Sequence, residues 1–271
     1  MGHLGFVGRR NIAATDPDPA QFRTLIPDTK DYIVNGSWTK GVGEKGLGGS
    51  IGINAGFTRN DSRSFSGLNT VLLTSPGGSA AIRTLGDPLM RTSRVDTFQG
   101  GATLNKRLGD WQLTATVDAT HAISKTQTDR RADTSALVAA AAAGNLAVTG
   151  PMPVPGPARV DIARVKTDSV TSLATLAGKP FQLPAGDAAV TIKAGFAYTG
   201  IESEDTRTSA GPTSLRRGNL NAGVNLALPL TSRKNHVLGG LGDITLNLSA
   251  GLDRLSDFGT RRRHGFLWQR W

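Results

Sequence analysis

Cysteine is absent from the 271 residues. That removes disulfide frameworks, thiolate metal sites and cysteine nucleophiles, without identifying a compartment. Long apolar runs are missing as well. The longest, around Ala136–Ala143, is too short to cross a bilayer as a helix, which excludes a helical membrane protein. Met1–Arg10 contains no apolar stretch of signal-peptide length, so no signal peptide is expected in this chain. Histidine occurs four times, at His3, His121, His236 and His264. No two of these share one element at ligand spacing, so no metal site, cofactor or catalytic base is expected from them. Aromatic residues make up 6% of the chain and charged residues 19%.

Glycine and positive charge are plentiful. There are 34 glycines, and 31 Lys+Arg against 21 Asp+Glu give a net charge of +10. Such a balance invites a nucleic-acid reading, and the position of the charges tests it. Leu47–Phe57, Trp111–Val117 and Asn219–Leu230 contain no charged side chain. The cations gather between such stretches: Arg59, Arg63, Arg83, Arg91 and Arg94; then Lys125, Arg130, Arg131, Arg159 and Arg164; then Arg207, Arg216 and Arg217. Nucleic-acid binding wants stacking aromatics among its cations, and here the aromatics lie elsewhere. No nucleic-acid partner is expected. The basic stretches suit solvated loops, or outward loops that pair with lipid phosphates or an anionic ligand.

The dominant pattern is alternation with a period of two. In Leu47–Asn60 the apolar set is Leu47, Ile51, Ile53, Ala55 and Phe57, set against Ser50, Gly52, Asn54, Gly56 and Thr58. Trp111–Thr120, Asn219–Leu228 and Asp243–Asp253 repeat it, and Tyr32–Trp38, Phe98–Leu104 and Ala188–Tyr198 do so more weakly. An eighth strand over Thr167–Leu176 is required by connectivity although it alternates poorly. Short turns are expected at Gly41–Gly46, Lys106–Asp110, Gly178–Asp187 and Ser232–Gly242. Longer loops are expected at Asp61–Arg94, Lys125–Arg164 and Ile201–Arg217. Turns and loops alternate strictly, as in an up-and-down antiparallel barrel whose rims face different surroundings.

Alternation also describes a soluble barrel. Three features favour lipid on the apolar side. The opposite faces carry Thr, Asn, Ser, Gln and Gly, with Lys193 and Asp118 as lumen-side exceptions. Each strong strand runs about 9–11 residues, enough to cross a bilayer when tilted. Trp38 and Trp111 near the short turns, and Tyr32, Phe57, Phe98 and Tyr198 towards the long loops, form two interfacial girdles. Within the second loop, Thr134–Val148 has helix propensity, followed by extended chain at Pro151, Pro153, Pro155 and Pro157.

Two motif spellings fail on context. Gly41-Val-Gly-Glu-Lys-Gly46 matches a dinucleotide-binding fingerprint, but a strand follows where a helix is needed. Gly48-Gly-Ser-Ile-Gly52 spells a nucleophile elbow, but Ser50 falls within a strand. No catalytic, cofactor-binding or metal-binding residue is assigned, and an enzyme is not expected.

Arg10-Asn-Ile-Ala-Ala14, Pro17-Asp-Pro-Ala20, Phe22-Arg-Thr-Leu-Ile-Pro27, Arg107-Leu-Gly-Asp-Trp-Gln-Leu-Thr-Ala-Thr116, Asp129-Arg-Arg-Ala-Asp133, Asn225-Leu-Ala-Leu-Pro-Leu-Thr231 and Asp253-Arg-Leu-Ser-Asp-Phe-Gly-Thr260 resemble barrel segments of proteobacterial TonB-dependent outer-membrane receptors. The resemblance implies a Gram-negative outer-membrane location, contact with outer-membrane lipid, and energy-coupled uptake of a scarce small ligand (a siderophore, vitamin or saccharide). It also implies a TonB complex as partner, a plug, and a barrel of about 22 strands. Against that pattern, the expectation is an all-β, antiparallel, up-and-down transmembrane barrel segment of about eight strands, an incomplete barrel without plug or TonB-contact segment, not competent alone. Residues 1–30 are expected to be irregular, 31–260 to form the partial barrel, and 261–271, basic and Trp-containing, to have no structural role. The alternative is a self-contained eight-stranded barrel with a structural or adhesion role. It requires Tyr32–Trp38 to pair with Ile244–Leu252.

Overall fold

A computed structural model of the chain describes residues 16–43, 48–153, 159–209, 211–256 and, for the backbone alone, 259–270. Eleven strands follow one another: β1 (Asp28–Val42), β2 (Gly49–Phe65), β3 (Asn69–Thr74), β4 (Ala80–Leu85), β5 (Met90–Leu108), β6 (Trp111–Asp129), β7 (Val160–Leu183), β8 (Gly186–Asp205), β9 (Thr213–Thr231), β10 (Ile244–Leu255) and β11 (Gly259–Arg270). Among the described residues one α-helix, α1 (Ser135–Ala142), lies between β6 and β7.

Nine strands form one sheet in the order β1-β2-β5-β6-β7-β8-β9-β10-β11. Every neighbouring pair is antiparallel. All eight expected strands are present in an up-and-down meander. The sheet is open, with β1 bonded only to β2 and β11 only to β10. Tyr32–Trp38 and Ile244–Leu252 therefore do not pair, and the closure required by the small-barrel alternative is not formed.

Several boundaries differ from expectation. The strands are longer than 9–11 residues: β5 and β6 have 19 each, β8 has 20 and β7 has 24. The expected loops lose their ends to strands because charged residues continue the alternation there and satisfy one another across the ladder. Arg59 meets Asp96 at 2.6 Å and Arg94 meets Asp61 at 2.7 Å. The connections shrink to residues 66–89, 130–159 and 206–212, so the third long loop is a short one. The poorly alternating eighth strand is β7, the longest of all, because β6 and β8 hold it from both sides. Gly259–Arg270 pairs with β10 along its length, so most of the tail expected to be inert adds a ninth strand. Of the expected turn at Gly41–Gly46, residues 44–46 lie outside the described residues, as do Pro155 and Pro157.

The first long connection holds a hairpin that the sequence reading missed. β3 and β4 pair over Asn69–Thr74 and Ala80–Leu85, joined through Pro76, Gly77 and Gly78. Gly78 adopts φ +80°, a left-handed conformation suited to glycine in a tight turn. The helix expected within Thr134–Val148 is α1, which packs on this hairpin. Val71, Leu73, Leu85 and Ala141 form a small buried core, flanked by Leu137, Leu146, Val148 and Met152. Buried apolar packing is thus concentrated in the connections at one end of the sheet, while the sheet's own large apolar residues stay exposed.

Candidate functional site

Register assigns each strand residue to a face, because hydrogen-bonded partners point the same way and successive residues point oppositely. One row across the sheet reads Trp38, Ile53, Ala102, Val117, Ser172, Phe196 and Leu220. A second reads Leu113, Leu176, Ile192, Val224 and Ala250. The opposite face reads Ser37, Asn54, Gly101, Asp118, Thr171, Ala197 and Asn219 in one row, and Asn105, Thr114, Thr175 and Lys193 in another. Lys193 and Asp118 thus both lie on the polar face. So does Leu173, which the alternation of neighbouring strands does not anticipate.

The apolar face has no second layer among the described residues. Ile53, Val117 and Leu220 are 49%, 47% and 52% exposed, values at which a soluble sheet would forfeit most of its burial energy. A contiguous apolar surface of this extent marks an interaction face. Tyr32, Trp38, Phe57, Phe98, Trp111 and Tyr198 all share it. Phe57 and Phe98 are cross-strand partners with ring centroids 4.8 Å apart, a packing worth about 0.5–1.5 kcal/mol beyond area. Trp111 starts β6 beside the Gly109–Asp110 turn, whereas Trp38 lies four positions inside β1, deeper than a strictly terminal girdle.

From Trp111 to His121 the apolar face of β6 climbs about 33 Å along the strand, about 25 Å in height for a strand tilted by about 40°. Beyond that level the same face turns charged. His121 Nδ1 lies 2.6 Å from Asp168, and Arg216 lies 3.4 Å from Glu202. The polar face changes less, continuing through Ser62, Ser93, Thr126 and Thr128.

The remaining motifs stay apart. Gly41 and Val42 end β1, and β2 begins at Gly49, with residues 44–47 outside the described set. Ser50 lies in β2 opposite Gly41 and Asn105, with no histidine beside it. His236 sits in the turn before β10 at φ +57°, remote in the sheet from His121. His3 lies outside the described residues, as does the side chain of His264. Among the described residues no three His, Asp or Glu side chains converge on a common point.

At the loop end, Arg130 pairs with Asp161, and that hydrogen bond raises the guanidinium above its ordinary range. Asp133 accepts the backbone N–H of Ser135 at 2.9 Å, which holds its carboxyl below the usual aspartate range. The sequence marks Arg130 only as one of a group of loop cations and does not single out Asp133. Their signal was the D-x-S spacing ahead of an alanine run, and a basic residue just past a strand.

No protein-family model matches this chain, and no solved structure matches it.

Proposed function

We propose that this chain is part of the barrel wall of a TonB-dependent outer-membrane receptor, with its apolar face against lipid and its Asn/Thr/Ser/Gln face towards the lumen. The observation that carries the reading is the exposed apolar face between ringed edges, backed by a polar face; it would stand about 25 Å tall at a barrel's strand tilt of about 40°. That height equals the apolar band of an outer-membrane barrel. The inherited role is uptake of a scarce small ligand, driven through a plug and the TonB complex, and it is transport rather than catalysis. The described residues supply wall and loop-end connections of such a receptor.

The open edges fit the same reading. The N–H and C=O groups along the outer sides of β1 and β11 cost several kcal/mol each if left unpaired in hydrocarbon, so further wall strands are needed there.

The test uses the chain's own tryptophans. Refolded into vesicles whose acyl chains carry bromine at graded depths, the protein should show strong quenching of Trp38 and Trp111, each read in a variant with Phe at the other three tryptophans. Emission indifferent to brominated lipid, with quenching by a soluble collider instead, would sink the lipid-facing reading.

A further inference from the structure

Past the rings, the apolar face carries a row of charges in which cations outnumber carboxylates. Register sets Lys30, Asp61, Arg94, Lys125, Arg164 and Glu204 side by side across β1, β2, β5, β6, β7 and β8. Like charges directly opposite one another destabilise a ladder, and this row has three in succession, Arg94, Lys125 and Arg164. Arg94 is answered by Asp61 at 2.7 Å. Lys125 has no ion-pair or hydrogen-bond partner among the described residues, whereas Arg164 stands opposite Glu204 and lines a separate hollow with Glu202 and Glu204. An open hollow of about 480 Å³ lies on this row, with Lys30, Arg63, Arg94 and Lys125 against Asp28 and Asp61 in its lining. Arg63, set opposite Asp28 by register, turns its Nε to Met90 Sδ at 3.1 Å and its guanidinium over the Phe65 ring and forms no ion pair among the described residues.

The hollow has a defined height. Arg94 stands four residues beyond Phe98 on β5, about 13 Å along the strand and about 10 Å above the ring. The headgroup layer of a bilayer is about 5–8 Å thick on each side, and long Lys and Arg side chains reach back towards it. Tyr32 also lines the hollow, linking it to the apolar surface below.

We propose that this hollow binds the phosphomonoester headgroup of a membrane lipid, through Lys30, Arg63 and Lys125. The lining's excess of two cations matches a dianionic phosphate, and three terminal oxygens accept charge-assisted hydrogen bonds from several strands at once. A zwitterionic headgroup offers no such match. The acyl chains continue down the face that carries Tyr32, Phe57 and Ile53. This inference rests on the lipid-facing reading above.

The experiment uses the full chain in detergent, with phosphatidic acid as probe and phosphatidylcholine as reference, counting retained lipids by native mass spectrometry. The native chain should retain phosphatidic acid over phosphatidylcholine by about tenfold, the scale of one strong charge-assisted contact. The Lys125→Gln variant should fall to parity, and Lys30→Gln should fall partway. Melting in lipid-free detergent should stay level or rise in Lys125→Gln, since its repulsion with Arg94 and Arg164 on either side has been removed, and this guards against a folding defect. Millimolar inorganic phosphate should leave the bound lipid in place. Parity in the native chain, an undiminished preference in both variants, or full displacement by inorganic phosphate overturns the proposal. Tryptophan quenching by brominated lipid separates the two failures. With quenching intact, parity overturns the headgroup site alone; without it, the lipid-facing reading falls and the site falls with it.

Discussion

Arg83 grips Asp16 with two prongs, Nε to Oδ2 at 2.8 Å and Nη2 to Oδ1 at 3.1 Å, with both side chains no more than 8% exposed. The Thr84 amide also donates to Asp16 at 2.7 Å, and Arg83 Nη1 donates to the carbonyls of Val148 and Gly150 at 2.9 and 2.8 Å. One buried pair therefore ties together the entry to β1, the β3–β4 hairpin and the chain after α1. Removing one partner of such a pair strands the other charge, at about 3–5 kcal/mol. Asp16→Asn is expected to loosen this cluster while leaving the sheet paired, because no sheet ladder passes through it. Limited proteolysis should cut within residues 66–89 and 130–159 much faster, with the far-ultraviolet β signal unchanged. Asp16→Leu with Arg83→Met should recover much of the protection, since apolar replacement of a buried pair is often neutral.

Trp111 depends on having a glycine as its neighbour across the ladder. A Cβ at Gly178 would meet two carbons of the Trp111 ring at 2.5 and 2.6 Å and the Asp110 carbonyl at 3.0 Å, so the ring lies over the bare backbone of β7. Gly178→Val is expected to displace the ring and cost about 1–3 kcal/mol, the usual penalty of overpacking. Near-ultraviolet circular dichroism should lose intensity in parallel with a lower melting point. Gly100 is the control on the same face. The nearest atom to its built Cβ is the Asn54 carbonyl at 3.8 Å, so Gly100→Ala should be neutral or stabilising by about 0.5–1 kcal/mol through the unfolded chain.

These relationships mark what the sequence could and could not disclose. Period-two alternation revealed the sheet, seven of its strands and both faces, because each of those strands repeats one polar and one apolar set regardless of its neighbours; connectivity supplied the eighth, β7. The strand ends stayed hidden, since Arg59, Asp61, Arg94 and Asp96 read as loop charges until register sets them opposite one another. The β3–β4 hairpin left a usable trace in Thr74-Ser-Pro-Gly-Gly-Ser79 between two apolar runs, a turn signal with flanking strands. The Asp16–Arg83 pair left none, because its two residues are joined only by tertiary packing. The cation row is likewise a product of register.

Helix α1 carries a pH dependence whose sign is fixed by Asp133. Its carboxylate accepts the Ser135 amide first, then the Ser135 hydroxyl, and both hold its pKa below the ordinary aspartate value near 4. A group with a depressed folded pKa contributes stability that is complete above its unfolded pKa and lost as the pH falls through the folded one. The first turn of α1 should therefore be intact from neutrality down to about pH 4 and fray below it. The Ser135 amide chemical shift in micelles should report the transition. Asp133→Asn keeps an acceptor suited to a helix start and should abolish the transition without unravelling α1 at neutral pH.

Val117 and Thr116 are adjacent on β6 and point to opposite faces at mid-height, which makes them a direct test of what each face meets. If the Val117 face meets hydrocarbon, an arginine there must bring its charge into the bilayer or distort it, at about 2–4 kcal/mol near the midplane. An arginine at Thr116 stands between Thr103 and Leu173 on the polar face, where water on the lumen side would solvate it. Val117→Arg is therefore expected to lower folding stability in vesicles by that amount while Thr116→Arg changes it little, as read by urea titration of tryptophan emission. In a water-soluble sheet both arginines would be solvated and the two variants would behave alike. Equal, small effects would thus exclude lipid at the Val117 face. A larger penalty at Thr116 would mean that the polar face is the packed one, reversing the assignment of wall and lumen.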